Sequence, residues 1–167
     1  MFVLWYVLLL VAAAVAQSVV LSGLDVGGGR PDLVLLLVLA WAMLRGPTEG
    51  VVAGVLGGFA LDTLSGTPFG VHLGILGLIG FSTSLGEAHL YRGNLPLFFG
   101  VAVLATVAFH VALALVLPLF GWQPPSLGRF AQVTMPSALL NAALMPGAFW
   151  IVRHGLRWLY GWRRLEV

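Results

Sequence analysis

The chain has 167 residues, of which 60% are hydrophobic and only 8% are charged, and its mean hydropathy is +1.02. This composition excludes a water-soluble domain and predicts an integral membrane protein. All eight basic residues are arginine and the net charge is only +2, which argues against a nucleic-acid-binding surface. The lack of cysteine excludes disulfides, thiolate nucleophiles and cysteine metal sites.

The apolar segments predict a single transmembrane domain of six helices, at about residues 2–21, 31–44, 48–61, 67–85, 95–120 and 130–157. In the first helix, the small residues Ala12 and Ala16 form a candidate packing face. Pro31 and Asp32 are predicted to open the second helix, because proline suits the first helical position and aspartate the positive end of the macrodipole. The second and third helices are short for full spans, so a re-entrant pair is an alternative.

Two runs of glycine flank a hinge at residues 62–72, and each run has a spacing of four residues. They are Gly50, Gly54 and Gly58 before the hinge, and Gly66, Gly70 and Gly74 after it. On helices, this spacing produces a stripe without side chains, against which another helix backbone can pack closely. We therefore expect the third and fourth helices to form a tight hairpin at the centre of the bundle.

The arginines indicate an orientation in the membrane, since basic residues in short loops remain in the cytoplasm. With six spans, Arg30 and Arg129 lie on the side away from the N-terminus. The other six share the side of the N-terminus: Arg45, Arg92, Arg153, Arg157, Arg163 and Arg164. A re-entrant pair moves only Arg45 across and keeps the same majority. Both termini are therefore predicted to be cytoplasmic, and the hinge is predicted to face the exterior.

Asp62 is the acidic residue that lies deepest in an apolar run. A carboxylate at the carboxyl end of a helix lies at the unfavourable pole of the macrodipole, so Asp62 should have a partner. The candidates on the same side of the membrane are Arg30, Arg129 and His72. Alternatively, Asp62 reaches headgroup water or caps backbone amides in the turn at residues 63–67.

His110 and Asn141 lie well inside the fifth and sixth predicted helices, where an unpaired polar group costs free energy. The simplest prediction is a hydrogen bond between the two that holds the helices together. With Asp62 and His72, they could instead line an outward-facing pocket. A metal site is disfavoured, because no pair of potential ligands has a recognisable spacing.

The last predicted helix contains Pro136 and Pro146, which we expect to interrupt it as in the broken helices of transporters. The tail at residues 153–164 mixes arginine with aromatic residues, which predicts an anchor on anionic membrane lipid. Nowhere does the sequence show a nucleophile with a paired base, a phosphate-binding loop or a metalloprotease helix. It therefore supports neither an enzymatic activity nor a cofactor.

The segment from Arg30 to Gly80 contains several local motifs in a fixed order. They are the Pro-Asp helix start, an Arg-Gly-Pro turn at residues 45–47, a glycine-rich helix, and Asp62 followed by a Ser-Gly-x-x-x-Gly hinge. In these features the chain resembles the bacterial rod shape-determining protein family MreD. The resemblance implies that Pro31, Asp32, Asp62, Gly66 and Gly70 are architectural residues and candidate partner contacts, and it assigns no catalytic residue.

The resemblance further implies a subunit of the bacterial cytoplasmic membrane that binds MreC. Such a subunit would help couple the elongation glycosyltransferase–transpeptidase complex to MreB filaments, and so regulate cell shape and peptidoglycan synthesis. Its helix bundle would be similar to the substrate-binding subunits of energy-coupling-factor vitamin transporters.

Two other functions stay open on the residues themselves. One is the substrate-binding subunit of a vitamin-type transporter, with Asp62, His72, His110 and Asn141 in contact with the ligand. The other is an ion- or proton-coupled carrier that uses Asp62 and the histidines.

Overall fold

The structure is a computed structural model that describes residues 2–20, 23, 27–86 and 95–160, and these residues form six α-helices and no β-strand. The helices are α1 (Phe2–Val15, continued by the π-helix Ala16–Val20), α2 (Leu33–Arg45), α3 (Pro47–Leu64), α4 (Val71–Ser84), α5 (Leu95–Val116, continued by the 3₁₀ turn Leu117–Phe120) and α6 (Leu127–Tyr160). The prediction of an all-helical chain with six helices is confirmed. The predicted end of the first helix at residue 21, Arg92 and the end of the arginine-rich tail lie outside the described residues.

Two of the described helices are long and apolar enough to cross a membrane, Pro96–Phe120 and Leu127–Trp158. Three shorter apolar helices accompany them, Leu4–Val19, Leu33–Arg45 and Val71–Ser84. Whether α2 and α3 span the membrane fully or re-enter it stays a prediction, and the 13 residues of α2 are short for a full span.

The last helix differs from the prediction, because α6 begins at Leu127 and runs without interruption through Pro136 and Pro146. A proline removes one backbone hydrogen bond, but it need not end a helix whose two sides are held by tertiary contacts. Here Ser137 and Asn141, just after the first proline, are hydrogen-bonded to the segment that precedes α2.

The start of α2 also differs from the prediction. The helix begins at Leu33, so Pro31 lies before it and Asp32 is its N-cap residue. The side chain of Asp32 makes no capping hydrogen bond to its own helix. It is therefore free to contact other helices, which it does in the site described below.

The helix α2 forms the centre of the bundle, not the hairpin of the third and fourth helices that was predicted there, since every residue from Val34 to Met43 is buried. A helix that is apolar on all sides suits either the interior of a protein or the membrane, and the burial of α2 shows that other elements surround it. The aromatic ring of Tyr6 in α1 stacks on Trp41 with a centroid distance of 3.8 Å, and its hydroxyl donates to the Leu37 carbonyl at 3.1 Å. The N-terminal helix is thereby fixed against the central one.

The antiparallel helices α3 and α4 touch through their backbones. A Cβ atom added to Gly54 would overlap the backbone at Leu76, and one added to Gly58 would overlap the backbone at Leu73. One added to Gly50 would lie 2.6 Å from the carbonyl oxygen of Gly80. We call this contact the glycine seam, formed by Gly50, Gly54 and Gly58 of α3 against residues 72–80 of α4.

The second run of glycines is not part of the seam. Gly66 and Gly70 have φ angles of 67° and 97° in the hinge between α3 and α4, a region that favours glycine. A Cβ on Gly74 would meet no other atom within 4 Å, so this residue faces open space. The predicted stripe after the hinge is therefore wrong in its packing role, because the hinge shifts the start of α4 to Val71 and turns another side of the helix to α3.

The small residues of α1 also pack differently from the prediction. Ala12 is exposed and Ala16 is half-buried, whereas Ala13 and Ala14 are buried. The helix is apolar on every side, so its sequence pattern alone does not distinguish the inner face from the outer one.

Candidate functional site

The carboxylate of Asp62, near the end of α3, binds the start of α4. Its side chain is fully buried and accepts hydrogen bonds from the backbone N–H groups of Gly70 at 2.9 Å, His72 at 3.0 Å and Leu73 at 3.1 Å. The first backbone N–H groups of a helix lack partners within the helix, and a carboxylate satisfies both their hydrogen bonding and their partial positive charge. Asp62, near the carboxyl end of α3, thus holds the hinge closed by binding the start of α4.

The same carboxylate orients a histidine. The Nδ1 atom of His72 lies 2.9 Å from Oδ1 of Asp62 and 3.1 Å from Oγ1 of Thr67. Of the three predicted partners of Asp62, His72 is therefore the one in contact. Asp62 also caps backbone amides, as the alternative prediction proposed. The amides that it caps lie at the start of α4 and not in the turn at residues 63–67.

A second group of polar side chains joins α2, α5 and α6. Asp32 and Asn141 form a reciprocal pair, in which Oδ1 of Asn141 accepts from the Asp32 N–H at 2.8 Å and Nδ2 donates to Oδ2 of Asp32 at 3.0 Å. Nδ2 of Asn141 also lies 3.0 Å from Oγ1 of Thr106. We call Asp32, Thr106, His110, Thr134 and Asn141 the polar centre.

His110 does not bond to Asn141 directly, contrary to the simplest prediction. Its Nδ1 atom lies 3.1 Å from Oγ1 of Thr134, and its Nε2 atom lies 3.6 Å from Oδ2 of Asp32. Asp32 therefore stands between the two residues, because the segment before α2 inserts its carboxylate between α5 and α6. Hydrogen bonds among α5, α6 and the segment before α2 therefore hold this region together, rather than a single bond between α5 and α6.

Two further contacts hold the segment before α2 in place. The Oγ atom of Ser137 in α6 accepts from the Arg30 N–H at 3.0 Å. From α1, Gln17 accepts from the Val34 N–H through Oε1 at 3.2 Å, while its Nε2 atom lies 3.5 Å from Oδ1 of Asp32. The start of the central helix is thus held from both sides.

A cavity of about 360 Å³ lies between the hinge and the polar centre. Its polar wall is formed by Gln17, Ser18, Arg30, Asp32, Ser65, His72 and His110, and its apolar wall includes Leu61, Leu64, Phe109 and Leu113. We call it the polar cavity. Of the four residues of the predicted pocket, His72 and His110 line this cavity, together with Asp32, whereas Asp62 and Asn141 are not among its lining residues.

Four polar residues of the site were not anticipated, namely Gln17, Thr106, Thr134 and Ser137. The signal in the sequence is their spacing. Thr106 is four residues before His110, and Thr134, Ser137 and Asn141 follow one another at intervals of three and four, so each set occupies one face of its helix. Polar residues at helical spacing in an apolar helix therefore mark the polar centre.

Within the described residues, no three histidine, cysteine or acidic side chains are arranged to hold a metal ion. In the same part of the chain, every fully buried side-chain nitrogen or oxygen has a hydrogen-bond partner. The arrangement can therefore hold helices at fixed positions and can offer polar groups to a molecule in the cavity.

Comparison with known proteins places this architecture in a family. The family model for the rod shape-determining protein MreD matches residues 1–156, which include α1 to α5 and most of α6. No curated protein and no solved structure matched the chain. Since the match covers the hinge, the glycine seam and the polar centre, the chain belongs to the MreD family of rod shape-determining membrane proteins.

Proposed function

We propose that this protein is a non-catalytic, multi-pass subunit of the bacterial cell-elongation complex, which binds MreC and helps regulate peptidoglycan synthesis. Membership of the family implies a role in rod shape determination. The observation that carries the finer proposal is the hydrogen bonding of the interior. The buried carboxylate of Asp62 and the buried amide of Asn141 both bind other helices or the hinge of the same chain, which suits a rigid scaffold.

The outer surface supports the proposal because it offers apolar side chains to other membrane helices. On α5, Leu104 and Leu115 are largely exposed, and on α6 the same is true of Leu139 and Trp150. Such residues are stable against lipid chains and against a partner's transmembrane helix alike. In our proposal MreC is the direct partner. The elongation glycosyltransferase–transpeptidase complex and MreB filaments are then reached within the same assembly.

The test is purification of the tagged protein from its native membrane in mild detergent, followed by identification of the co-eluting proteins by mass spectrometry. We expect MreC and the peptidoglycan synthase to co-elute. An unrelated multi-pass protein with the same tag is the control for non-specific recovery. A monodisperse preparation that contains neither protein would contradict the proposal.

A second candidate function is the substrate-binding subunit of a vitamin-type transporter, in a bundle similar to those of energy-coupling-factor transporters. The polar cavity of about 360 Å³ favours it, since the volume lies at the lower end of small-molecule pockets. In the same purification, this function requires recovery of a transport ATPase in place of MreC.

We further propose that the protein lies in the bacterial cytoplasmic membrane with both termini in the cytoplasm. The excess of arginine on the side of the N-terminus supports this orientation. Because the chain has no cysteine, a Ser65→Cys variant can be labelled at one position in the exposed hinge. We expect a membrane-impermeant thiol reagent to label it in whole cells whose outer layers admit the reagent. Labelling only after the cytoplasmic side is opened would reverse the orientation.

A further inference from the structure

His72 has one ring nitrogen that the protein does not use. Its Nδ1 atom contacts Asp62 and Thr67, whereas its Nε2 atom makes no hydrogen bond with any residue that the structure describes. The side chain is only 9% exposed. Since the fully buried side-chain nitrogens of the described residues all have partners, Nε2 is not fully enclosed, and His72 is one of the residues that line the polar cavity.

The hydrogen bonding of Asp62 decides what this nitrogen offers. A carboxylate only accepts, and Asp62 already accepts three backbone N–H groups, so Nδ1 of His72 is assigned as the donor of the fourth bond. In the neutral ring, Nε2 then carries the lone pair. The neutral ring of His72 therefore presents a hydrogen-bond acceptor, in an orientation fixed by Asp62.

The polar wall of the cavity carries both hydrogen-bond acceptors, on Asp32 and His72, and a cation, Arg30. The Asp32 side chain is 13% exposed and lines the cavity, and the hydrogen bond to its Oδ1 from Gln17 is long at 3.5 Å. Arg30 also lines the cavity but is exposed, and its guanidinium makes no hydrogen bond or ion pair with the described part of the chain. A complementary ligand therefore carries hydrogen-bond donors with positive charge at one end and an anion at the other.

We propose that the polar cavity binds the primary ammonium group of a small zwitterion, held by Nε2 of His72 and the carboxylate of Asp32, with the anionic group of the same ligand at Arg30. The chemistry is that of phosphoethanolamine, either free or as the headgroup of a phospholipid. Leu64 and Leu113 on the apolar wall are compatible with the start of a lipid chain. This binding does not depend on MreC, so the two proposals are tested separately.

A primary ammonium fits this site better than a quaternary one. Quaternary ammonium groups have no N–H to donate and are usually held by cages of several aromatic rings. Phe109 is the one aromatic residue other than histidine among the side chains that line the described cavity. A primary ammonium can instead donate to both acceptors, and hydrogen bonds between charged partners are the strong ones.

The test uses the full-length protein in detergent and compares phosphoethanolamine with phosphocholine, which differs only by the three methyl groups on nitrogen. We expect phosphoethanolamine to raise the melting temperature in a concentration-dependent way and phosphocholine to leave it unchanged. In lipid nanodiscs, native mass spectrometry then compares phosphatidylethanolamine with phosphatidylcholine. Retention of the ethanolamine lipid without an effect of the soluble probe identifies the headgroup as the source, and the reverse identifies a free ligand.

Two arginine variants provide a matched pair that leaves the interior intact. Arg30→Gln removes the cation of the polar cavity, and we expect it to weaken binding about tenfold through loss of a charge-assisted hydrogen bond. Arg129→Gln changes an exposed arginine that lines the neighbouring apolar cavity instead, and we expect it to bind like the unchanged protein. Equal binding of both probes, no binding of either probe in soluble or lipid form, or equal effects of the two variants would overturn the proposal.

Discussion

The glycine seam and the polar centre hold helices together in opposite ways. In the seam, α3 and α4 lie so close together that no side chain fits at Gly54 or Gly58, so the contact requires glycine at these positions. In the polar centre, α2, α5 and α6 are joined by side chains such as Asp32 and Asn141 that reach across the space between them. The comparison teaches that this bundle uses close backbone packing along the lengths of α3 and α4, and directional hydrogen bonds where the segment before α2 meets α5 and α6.

The two regions should therefore respond differently to substitution. Adding a single methyl group damages the seam, because a backbone cannot move away from its neighbour without shifting the whole helix. Removing a polar group damages the centre, because the partners that remain are buried without a hydrogen bond. The three predictions below run from the largest expected loss of stability to the smallest.

Asp62→Ala tests the point at which the two regions meet, since Asp62 closes the seam and its partner His72 lines the polar cavity. The change leaves three backbone N–H groups without their acceptor, and the Nδ1 atom of His72 keeps only its contact with Thr67. We expect a loss of about 3 to 5 kcal/mol in the free energy of unfolding, because each buried donor left without a partner costs about 1 to 3 kcal/mol. It is measured from the thermal loss of monodisperse protein in detergent.

Asp62→Asn is the matched control, because it keeps one acceptor oxygen and removes the negative charge. We expect it to lose less stability than Asp62→Ala. If both variants were as stable as the unchanged protein, Asp62 would have no part in holding the hinge. If Asp62→Ala folded but MreC no longer co-purified, the hinge would be a partner contact.

Gly58→Ala tests the seam at its end next to the hinge. The added methyl group would overlap the backbone at Leu73, so we expect a loss of up to about 3 kcal/mol. Gly74→Ala is the control in the same hairpin, since its methyl group would meet no atom within 4 Å. There we expect a gain of up to about 1 kcal/mol, because alanine favours the helix more than glycine does. Melting temperatures that fall equally for both variants would contradict the close contact.

Asn141→Leu tests the polar centre. The change leaves the Asp32 N–H and its carboxylate without the amide partner and removes the contact with Thr106. We expect a loss of about 2 kcal/mol, below that of the seam, because leucine fills the space and favours the membrane interior. Leu139→Ala, on the exposed side of the same helix, should change the melting temperature much less. An Asn141→Leu variant as stable as the unchanged protein would show that the hydrogen bonds of Asn141 do not hold α6 in place.

The sequence predicted the seam better than the polar centre for a physical reason. The spacing of Gly50, Gly54 and Gly58 is a local pattern, and helical geometry turns it directly into a flat face. The hydrogen bond between Asp32 and Asn141 joins residues that are 109 positions apart, and no local pattern fixes which polar groups meet. Their helical faces could be predicted, but the identity of the partner could not.

Several individual expectations failed because they treated a residue without its surroundings. Asp32 was predicted to lie in the first turn of α2, but it precedes the helix as its N-cap residue, and its carboxylate contacts Asn141 and His110 instead of its own helix. Ala12 looked like a packing residue, but α1 is apolar on every side and its neighbours Ala13 and Ala14 are the buried ones. Pro146 looked like a break, but it lies inside a continuous helix.

The hydrogen bonds that close the hinge have a consequence for how the chain enters the membrane. The helix α3 contains several glycines and a buried carboxylate, so by itself it gains little from leaving water. With its carboxylate bound to the N–H groups at the start of α4, neither helix carries those polar groups unpaired into hydrocarbon. The two helices are therefore best suited to partition as one preassembled unit, and membrane insertion of α3 should depend on synthesis of α4 behind it.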